Sequence, residues 1–121
     1  MQSTIPTIIR KRFCGPPNSG NGGYVCGLLA NAMAEPCQVT LHAPPPLDTK
    51  LQIFRDSDGA RLLQGDILLG SARPYQLELT PPAAISLADA EAARPRFSGY
   101  EEHGLPGCFV CGTNRCEHDG L

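Results

Sequence analysis

The cysteines near the carboxyl-terminal end are the residues whose type and spacing most directly suggest chemistry. Cys108 and Cys111 form a C-x2-C pair, with Phe109 and Val110 between them. Further soft or borderline metal ligands lie nearby: His103, Cys116 and His118. Such a set could hold a tetrahedral zinc ion, and a C-x2-C pair could undergo thiol–disulfide exchange. Because the residues inside the pair are typical of packing segments, we interpret these cysteines as reduced structural thiols. Zinc binding and redox chemistry are the alternatives.

Length, charge and apolar runs limit the classes of protein that the chain can represent. A chain of 121 residues is most simply one domain with a single core. Its 10 basic and 12 acidic residues argue against non-specific nucleic-acid binding. No apolar run approaches the roughly 18 residues of a membrane span, and residues 1–13 lack a leader pattern. We therefore expect a cytoplasmic protein that binds neither membranes nor nucleic acid, with its six cysteines reduced.

The stretch 19–34 is the longest run that predicts a helix. One apolar stripe at helical spacing comprises Val25, Leu28, Leu29, Ala32 and Met33. The opposite side carries small residues, including Gly23 and Gly27, and the first ionisable residue is Glu35. We therefore expect a helix buried on all sides, with a neighbouring backbone or a ligand close to its glycines. The candidate N-terminal caps are Asn18, Ser19 and Asn21.

Alternating apolar residues elsewhere predict a sheet. The predicted strands cover residues 4–13, 37–43, 51–54, 60–71 and 75–79. Asp58-Gly59 is typical of a hairpin turn, and Ser86 could cap a short helix over 87–93. The sequence thus predicts an α+β fold in which a curved antiparallel sheet wraps around one buried central helix. We assign residues 1–94 to this domain and 95–121 to an irregular tail.

Three segments of the chain resemble a known family. The motif N-G-G-Y-V at 21–25 resembles a signature of the thioesterase-like hotdog superfamily, and 39–48 is similar to its second strand and following turn. C-F-V-C-G at 108–112, with D-G-L at 119–121, resembles a segment of uncharacterised bacterial members. The resemblance, which covers most of 13–121, implies a single hotdog domain that handles acyl thioesters such as acyl-CoA. Because relatives often carry two hotdog halves in tandem, it also implies a homodimer, commonly joined edge to edge through its sheets.

The same resemblance implies where a thioester would bind. Backbone N–H groups at the start of the central helix would polarise the thioester carbonyl, which assigns substrate binding to Gly22, Gly23 and Tyr24. The alternative is that the glycines only permit a tight junction between loop and helix and that the tyrosine is simply packed. Hydrolysis also requires a carboxylate or an activated water, and the helix contains no acid. The candidate catalytic residues are Asn21, Asp48 and Asp66, with His42 as a further candidate.

The sequence therefore leads to one main hypothesis and two alternatives. The main hypothesis is a homodimeric, acyl-CoA thioesterase-like hotdog protein that binds acyl thioesters and, in its stronger form, hydrolyses them without a cofactor or metal. The first alternative is a non-catalytic hotdog domain with a ligand-binding or structural role. The second is an interaction module stabilised by zinc at Cys108, Cys111, Cys116 and His118.

Overall fold

The computed structural model describes residues 2–121, so Met1, the first residue of the predicted domain, lies outside the described part. The elements are β1 (Ser3–Thr7), a 3₁₀ turn (Lys11–Phe13), α1 (Gly22–Asn31), β2 (Cys37–Leu41), β3 (Leu51–Arg55), β4 (Ala60–Gln64), β5 (Ile67–Pro74), α2 (Leu87–Ala93) and two 3₁₀ turns (Arg94–Arg96 and Ser98–Tyr100). Within the described residues, five strands form one antiparallel sheet in the order β1-β3-β4-β5-β2. The predicted α+β class with an antiparallel sheet is confirmed.

The core lies between one face of this open sheet and α1, which contacts β2, β4 and β5. Its buried residues come from both layers and from the loop after β1: Ile9, Val25, Leu29, Ala32, Leu51, Ile53, Ala60, Leu62, Leu69 and Ala72. Each fully buried leucine, isoleucine or valine side chain contributes about 1.5–3 kcal/mol of transfer free energy. The alternation predicted for the strands thus serves to hold α1 on the sheet.

Helix α1 is shorter and less buried than the sequence predicts. It covers Gly22–Asn31 instead of 19–34, because the residues before Asn21 make loop bridges to other segments. Asn21 is the N-cap, as predicted, and its side chain accepts a hydrogen bond from the Tyr24 N–H at 3.0 Å. The expectation of burial on all sides is wrong for the single chain, because the sheet covers only one side of the helix. The exposed residues of α1 are Gly23, Gly27, Ala30 and Asn31.

Two hairpins join β3 to β4 and β4 to β5. The sequence predicts the first of these turns and misses the second. The turn between β3 and β4 contains the predicted Asp58-Gly59, with Gly59 at φ 149° and the Asp56 carboxylate accepting from both backbone N–H groups. The sequence predicts residues 60–71 as one strand. They instead form β4 and the start of β5, because Gly65, at φ 56°, reverses the chain.

The last predicted strand, at 75–79, is absent from the described structure. The segment joins no strand: the Tyr75 N–H donates to the Pro36 carbonyl at 2.9 Å, and the side chains of Leu77 and Leu79 are each 72% exposed. The first strand also ends earlier than predicted, at Thr7. The short helix α2 is confirmed, with the Ser86 side chain accepting from the Asp89 N–H. Among residues 2–121, no helix has the length and apolar character needed to cross a bilayer.

Candidate functional site

The start of α1 is held in place by the loop that precedes it. The Gly20 N–H donates to the carbonyl of Pro45 at 2.9 Å, and the Asn21 N–H donates to that of Phe13 at 2.8 Å. Gly20 also approaches the helix closely, since a Cβ there would lie 2.8 Å from Val25 Cγ2. These contacts fix where the first backbone N–H groups of α1 point.

Two of those N–H groups are unused. The Tyr24 N–H is taken by the Asn21 side chain, and the Val25 N–H bonds the Asn21 carbonyl at 3.0 Å. Within residues 2–121, the N–H groups of Gly22 and Gly23 have no hydrogen-bond partner. Gly23 is exposed and Gly22 half-buried. The helix therefore presents two adjacent donors at its positive end.

The glycines at this position are not required by the fold of the chain itself. Neither has positive φ, since the described glycines with that conformation are Gly59 and Gly65. A Cβ on Gly22 would lie 3.5 Å from Leu41 Cδ1, and a Cβ on Gly23 would lie 3.4 Å from Asn21 Oδ1, both at the limit of ordinary contact. The alternative that they serve a tight junction is therefore not supported by conformation or by packing. A close approach from outside the chain remains as a reason for glycine here.

Asn21 and Tyr24 have structural partners at this end of the helix. Asn21 is only 9% exposed, and both ends of its amide are engaged: Oδ1 caps the helix, and Nδ2 donates to Cys108 Sγ at 3.5 Å. The Tyr24 ring stacks on Phe13, with ring centroids 4.2 Å apart. In this arrangement Asn21 is held as a helix cap against Cys108, and Tyr24 contributes its ring to a packed cluster.

The candidate carboxylates lie elsewhere. Asp48 accepts a hydrogen bond from the Lys11 N–H at 3.2 Å and donates its own N–H to Ile9 at 2.8 Å, so it fixes the turn after β1. Asp66 is exposed in the turn between β4 and β5. His42 Nε2 lies 2.9 Å from Ser71 Oγ on the neighbouring strand. No hydrogen bond or ion pair among residues 2–121 joins these three side chains to the start of α1.

The tail contributes residues that sequence reasoning did not place at this site. The Phe109 N–H donates to the Cys14 carbonyl at 2.8 Å, and its ring meets Phe13 edge-on with centroids 5.0 Å apart. Cys108 is 3% exposed and lies against Asn21. The C-F-V-C-G motif was the available signal, but nothing in its spacing identified the start of α1 as its partner.

The two sulfurs of the C-x2-C pair differ in their environments. Burial by itself opposes ionisation of Cys108, but the backbone N–H groups of Cys111 and Val110 bond its sulfur and favour the thiolate. The Cys111 thiol and the Asn21 amide add two further hydrogen bonds, and the net result is a lowered pKa for Cys108. The Cys111 thiol, which donates to Cys108, has a raised pKa for that reason.

The described residues do not assemble a metal site. All six cysteines are free thiols, and across residues 2–121 no three side chains of His, Cys, Asp or Glu lie close enough together to hold a metal ion. The zinc-stabilised module therefore has no ligand set to support it. Cys111 and Cys116 are both exposed.

We also compared the chain with known proteins. No protein-family model, curated protein or solved structure matches it.

Proposed function

We propose that this protein is a hotdog-type domain that binds acyl thioesters, with the Gly22 and Gly23 N–H groups holding the thioester carbonyl oxygen. The observation that carries the proposal is the pair of adjacent unbonded donors on two glycines that neither φ nor packing requires. Donors fixed at a helix N-terminus favour the negative charge that develops on a carbonyl oxygen. Glycine would let the acyl group reach them.

The sheet and helix support the hotdog assignment at the level of architecture. The chain forms an antiparallel sheet with a helix that lies between β1 and β2 in sequence and packs on one sheet face. The N-G-G-Y motif that suggested the family contains the N-cap of that helix. Sequence pattern and local geometry therefore favour the same family at the same position.

A homodimer is part of the proposal. Strand β2 pairs with β5 on one side only and ends the sheet order, which leaves its other edge open. Leu41, at the end of β2, lies next to Gly22 and is exposed. A second copy added at this edge would cover that exposed leucine and border the proposed thioester site. The cytoplasmic location remains a prediction.

We propose thioester binding as the main function, and hydrolysis only as a stronger form of it. Asp48 is engaged in a turn, Asp66 lies in the β4–β5 hairpin, and Asn21 is an amide, which cannot act as a base, held between Cys108 and the helix start. Hydrolysis therefore needs a general base that this arrangement of one chain does not supply at Gly22 and Gly23. A non-catalytic, ligand-binding hotdog domain is the second candidate, and these engaged side chains favour it.

A substitution at Gly23 tests the binding site directly. We expect Gly23→Val to weaken binding of a non-cleavable thioether analogue of acyl-CoA by at least about tenfold, or ~1.4 kcal/mol, because the side chain would cover the donors. Calorimetric titration of protein whose dimer is verified by light scattering measures this. Gly27→Val is the matched control, because Gly27 is exposed on the same helix and a Cβ there meets nothing within 4 Å.

Two outcomes would contradict the proposal. One is equal binding by wild type and Gly23→Val; the other is a folded dimer that binds no analogue from a panel of short, long and aromatic acyl chains. A thiol-release assay on the matching thioesters then separates the two candidates. Turnover that falls with Asp48→Ala or Asp66→Ala would identify that residue as part of the base, and binding without turnover would favour the non-catalytic domain.

A further inference from the structure

The turn that contains the C-x2-C pair is closed and tightly built. The Gly112 N–H donates to the Cys108 carbonyl at 2.9 Å, which closes one turn of chain around the pair. A Cβ on Gly112 would lie 2.6 Å from the Cys108 nitrogen, so only glycine fits there. Within this turn the Cys111 thiol donates to the Cys108 sulfur. The two sulfurs are therefore already neighbours in the reduced protein.

The same turn places the two sulfurs in different environments. Cys108 is 3% exposed and its sulfur accepts hydrogen bonds from two backbone N–H groups and, at 3.5 Å, from Asn21 Nδ2. Cys111 is exposed. One sulfur can thus be reached from solvent, while its neighbour is shielded and surrounded by donors that stabilise a thiolate.

We propose that Cys108 and Cys111 form a thiol–disulfide exchange site that reacts with small disulfides of the glutathione type. The Cys111 sulfur is the entry point and Cys108 is the resolving thiol. This proposal does not depend on thioester binding, since it uses different atoms and a different reaction.

The reaction balances as two successive exchanges. Proton transfer from the Cys111 thiol to the Cys108 thiolate exposes a Cys111 thiolate, which attacks one sulfur of the external disulfide. A mixed disulfide forms and the first external thiolate leaves. Cys108, having returned its proton to solvent, attacks the Cys111 sulfur, so that the internal disulfide forms and the second external thiolate leaves. Counted from the Cys108 thiolate and the Cys111 thiol, the pair gives up two electrons and one proton, and the external disulfide leaves as two thiolates, one of which takes up that proton.

The remaining cysteines lack this combination. Burial raises the pKa of Cys26, and the nearby Cys37 raises it further, so Cys26 resists forming a thiolate. Cys14 donates its thiol to the Gly107 carbonyl at 3.3 Å. Cys116 is exposed and lies beyond the closed turn. Cys26 and Cys37 therefore serve as a control pair: two cysteines near each other that lack the hydrogen-bond donors found around Cys108.

Oxidation at this site would be transmitted to α1 through Asn21. Its Nδ2 donates to the Cys108 sulfur while its Oδ1 caps the helix at Tyr24. A disulfide sulfur is a weaker acceptor than a thiolate, so the oxidised protein loses part of the restraint on the capping side chain. The redox state of the tail and the order of the helix start are therefore coupled.

The experiment uses the full chain in buffers of reduced and oxidised glutathione, followed by acid quenching, alkylation and tryptic mapping. The arginines divide the cysteines conveniently: 97–115 contains Cys108 and Cys111, 116–121 contains Cys116, and 13–50 contains the other three. We expect peptide 97–115 to lose two hydrogens and both alkylation sites first, with the other peptides still fully alkylated. Reduction with dithiothreitol should restore it.

Two variants test the proposed roles. Asn21→Asp keeps a good helix cap but replaces the amide donor by an anion, so the internal disulfide should form about tenfold more slowly at neutral pH, with the rate profile moved to higher pH. Cys111→Ser should leave Cys108 unreactive toward glutathione, because its sulfur is shielded. Cys116→Ser is the control and should react like wild type.

The proposal is overturned by a first disulfide between Cys26 and Cys37 or between Cys111 and Cys116. It is equally overturned if no internal disulfide forms at any glutathione ratio, or if Cys111→Ser becomes glutathionylated at Cys108 as fast as wild type reacts. Circular dichroism of Asn21→Asp establishes that α1 is retained. If α1 is lost in that variant, the Cys111→Ser result decides the question.

Discussion

Two segments that follow β5 behave in opposite ways, although neither forms a strand. Residues 75–80 alternate apolar and polar side chains, yet neither they nor residues 81–86 form a strand, and Leu77 is 72% and Ile85 74% exposed. Residues 105–121 have no period, yet they pack on the loop before α1. Since β5 already lies between β4 and β2, the first segment has no free edge beside it. Whether a segment of this chain packs against the rest thus depends more on an available partner than on alternation of apolar and polar residues.

Arg115 is the main anchor of the second segment. Its side chain is 11% exposed, and its guanidinium donates to the carbonyls of Arg12 and Gly107 at 2.7 Å and to that of Asp119 at 2.8 Å. The fixed fork of an arginine can serve three carbonyls at once, which a lysine ammonium cannot do in the same geometry. The tail is therefore held by three backbone acceptors, and the Asp119 carboxylate adds an ion pair with Arg115 at 3.2 Å.

The largest effect that we expect is from Arg115→Ala. Loss of the guanidinium leaves carbonyl acceptors without their donor, and the free energy of unfolding should fall by about 3 kcal/mol. Denaturant unfolding measures the loss, and hydrogen exchange should locate it in residues 105–121. Arg96→Ala is the matched control, because Arg96 makes one exposed hydrogen bond of 3.3 Å and should change stability by less than ~0.5 kcal/mol. Unchanged exchange in 105–121 would refute the anchoring role of Arg115.

The contrast also explains how far the sequence could predict the fold. The Asn21 cap, the Asp58-Gly59 hairpin and α2 depend on local chemistry, and these predictions are confirmed. The split of 60–71 was missed because an isolated glycine in an apolar run is typical of a bulge as well as of a turn. The exposed side of α1 was missed because composition alone cannot distinguish burial within the chain from small residues left open to solvent.

The candidate site was predictable only in part for a related reason. The N-G-G-Y motif pointed to the start of α1, where two N–H groups are unused. That Asn21 binds the sulfur of Cys108, 87 residues away, follows from the tertiary fold and has no local signature. The same holds for the Phe109 ring against Phe13. Long-range contacts of this kind decide which of several plausible side chains remain free for chemistry.

A smaller effect should appear in the pH dependence of stability. The pKa of Cys108 is lowered in the folded protein, so the unfolded chain binds more protons between that pKa and the ordinary thiol value of about 8.5. Stability from this thiol therefore rises with pH across the window and is lost as pH falls through the lowered value. The raised pKa of Cys111 acts in the opposite direction only above the ordinary thiol value, where stability falls as pH rises.

Cys108→Ser isolates this contribution. The urea midpoint of wild type should rise relative to that of the variant as the pH increases from the lowered Cys108 pKa toward the ordinary thiol value, because the serine hydroxyl does not titrate there. Cys116→Ser, at an exposed position outside the closed turn, should run parallel to wild type. A constant difference between wild type and Cys108→Ser at every pH would mean that the Cys108 sulfur contributes packing without a stabilised thiolate.

The smallest effect should come from the exposed segment itself. Leu77→Ala removes an apolar side chain that is 72% exposed and has no partner strand, so the free energy of unfolding should change by less than ~0.5 kcal/mol. Leu62→Ala calibrates the measurement, since the same truncation at a fully buried leucine should cost about 2–5 kcal/mol. A loss above ~1 kcal/mol at Leu77 that grows with protein concentration would mean that a second copy covers the segment. In that case residues 75–86 have a partner after all, and the contrast between the two segments becomes one between contacts within a chain and contacts between chains.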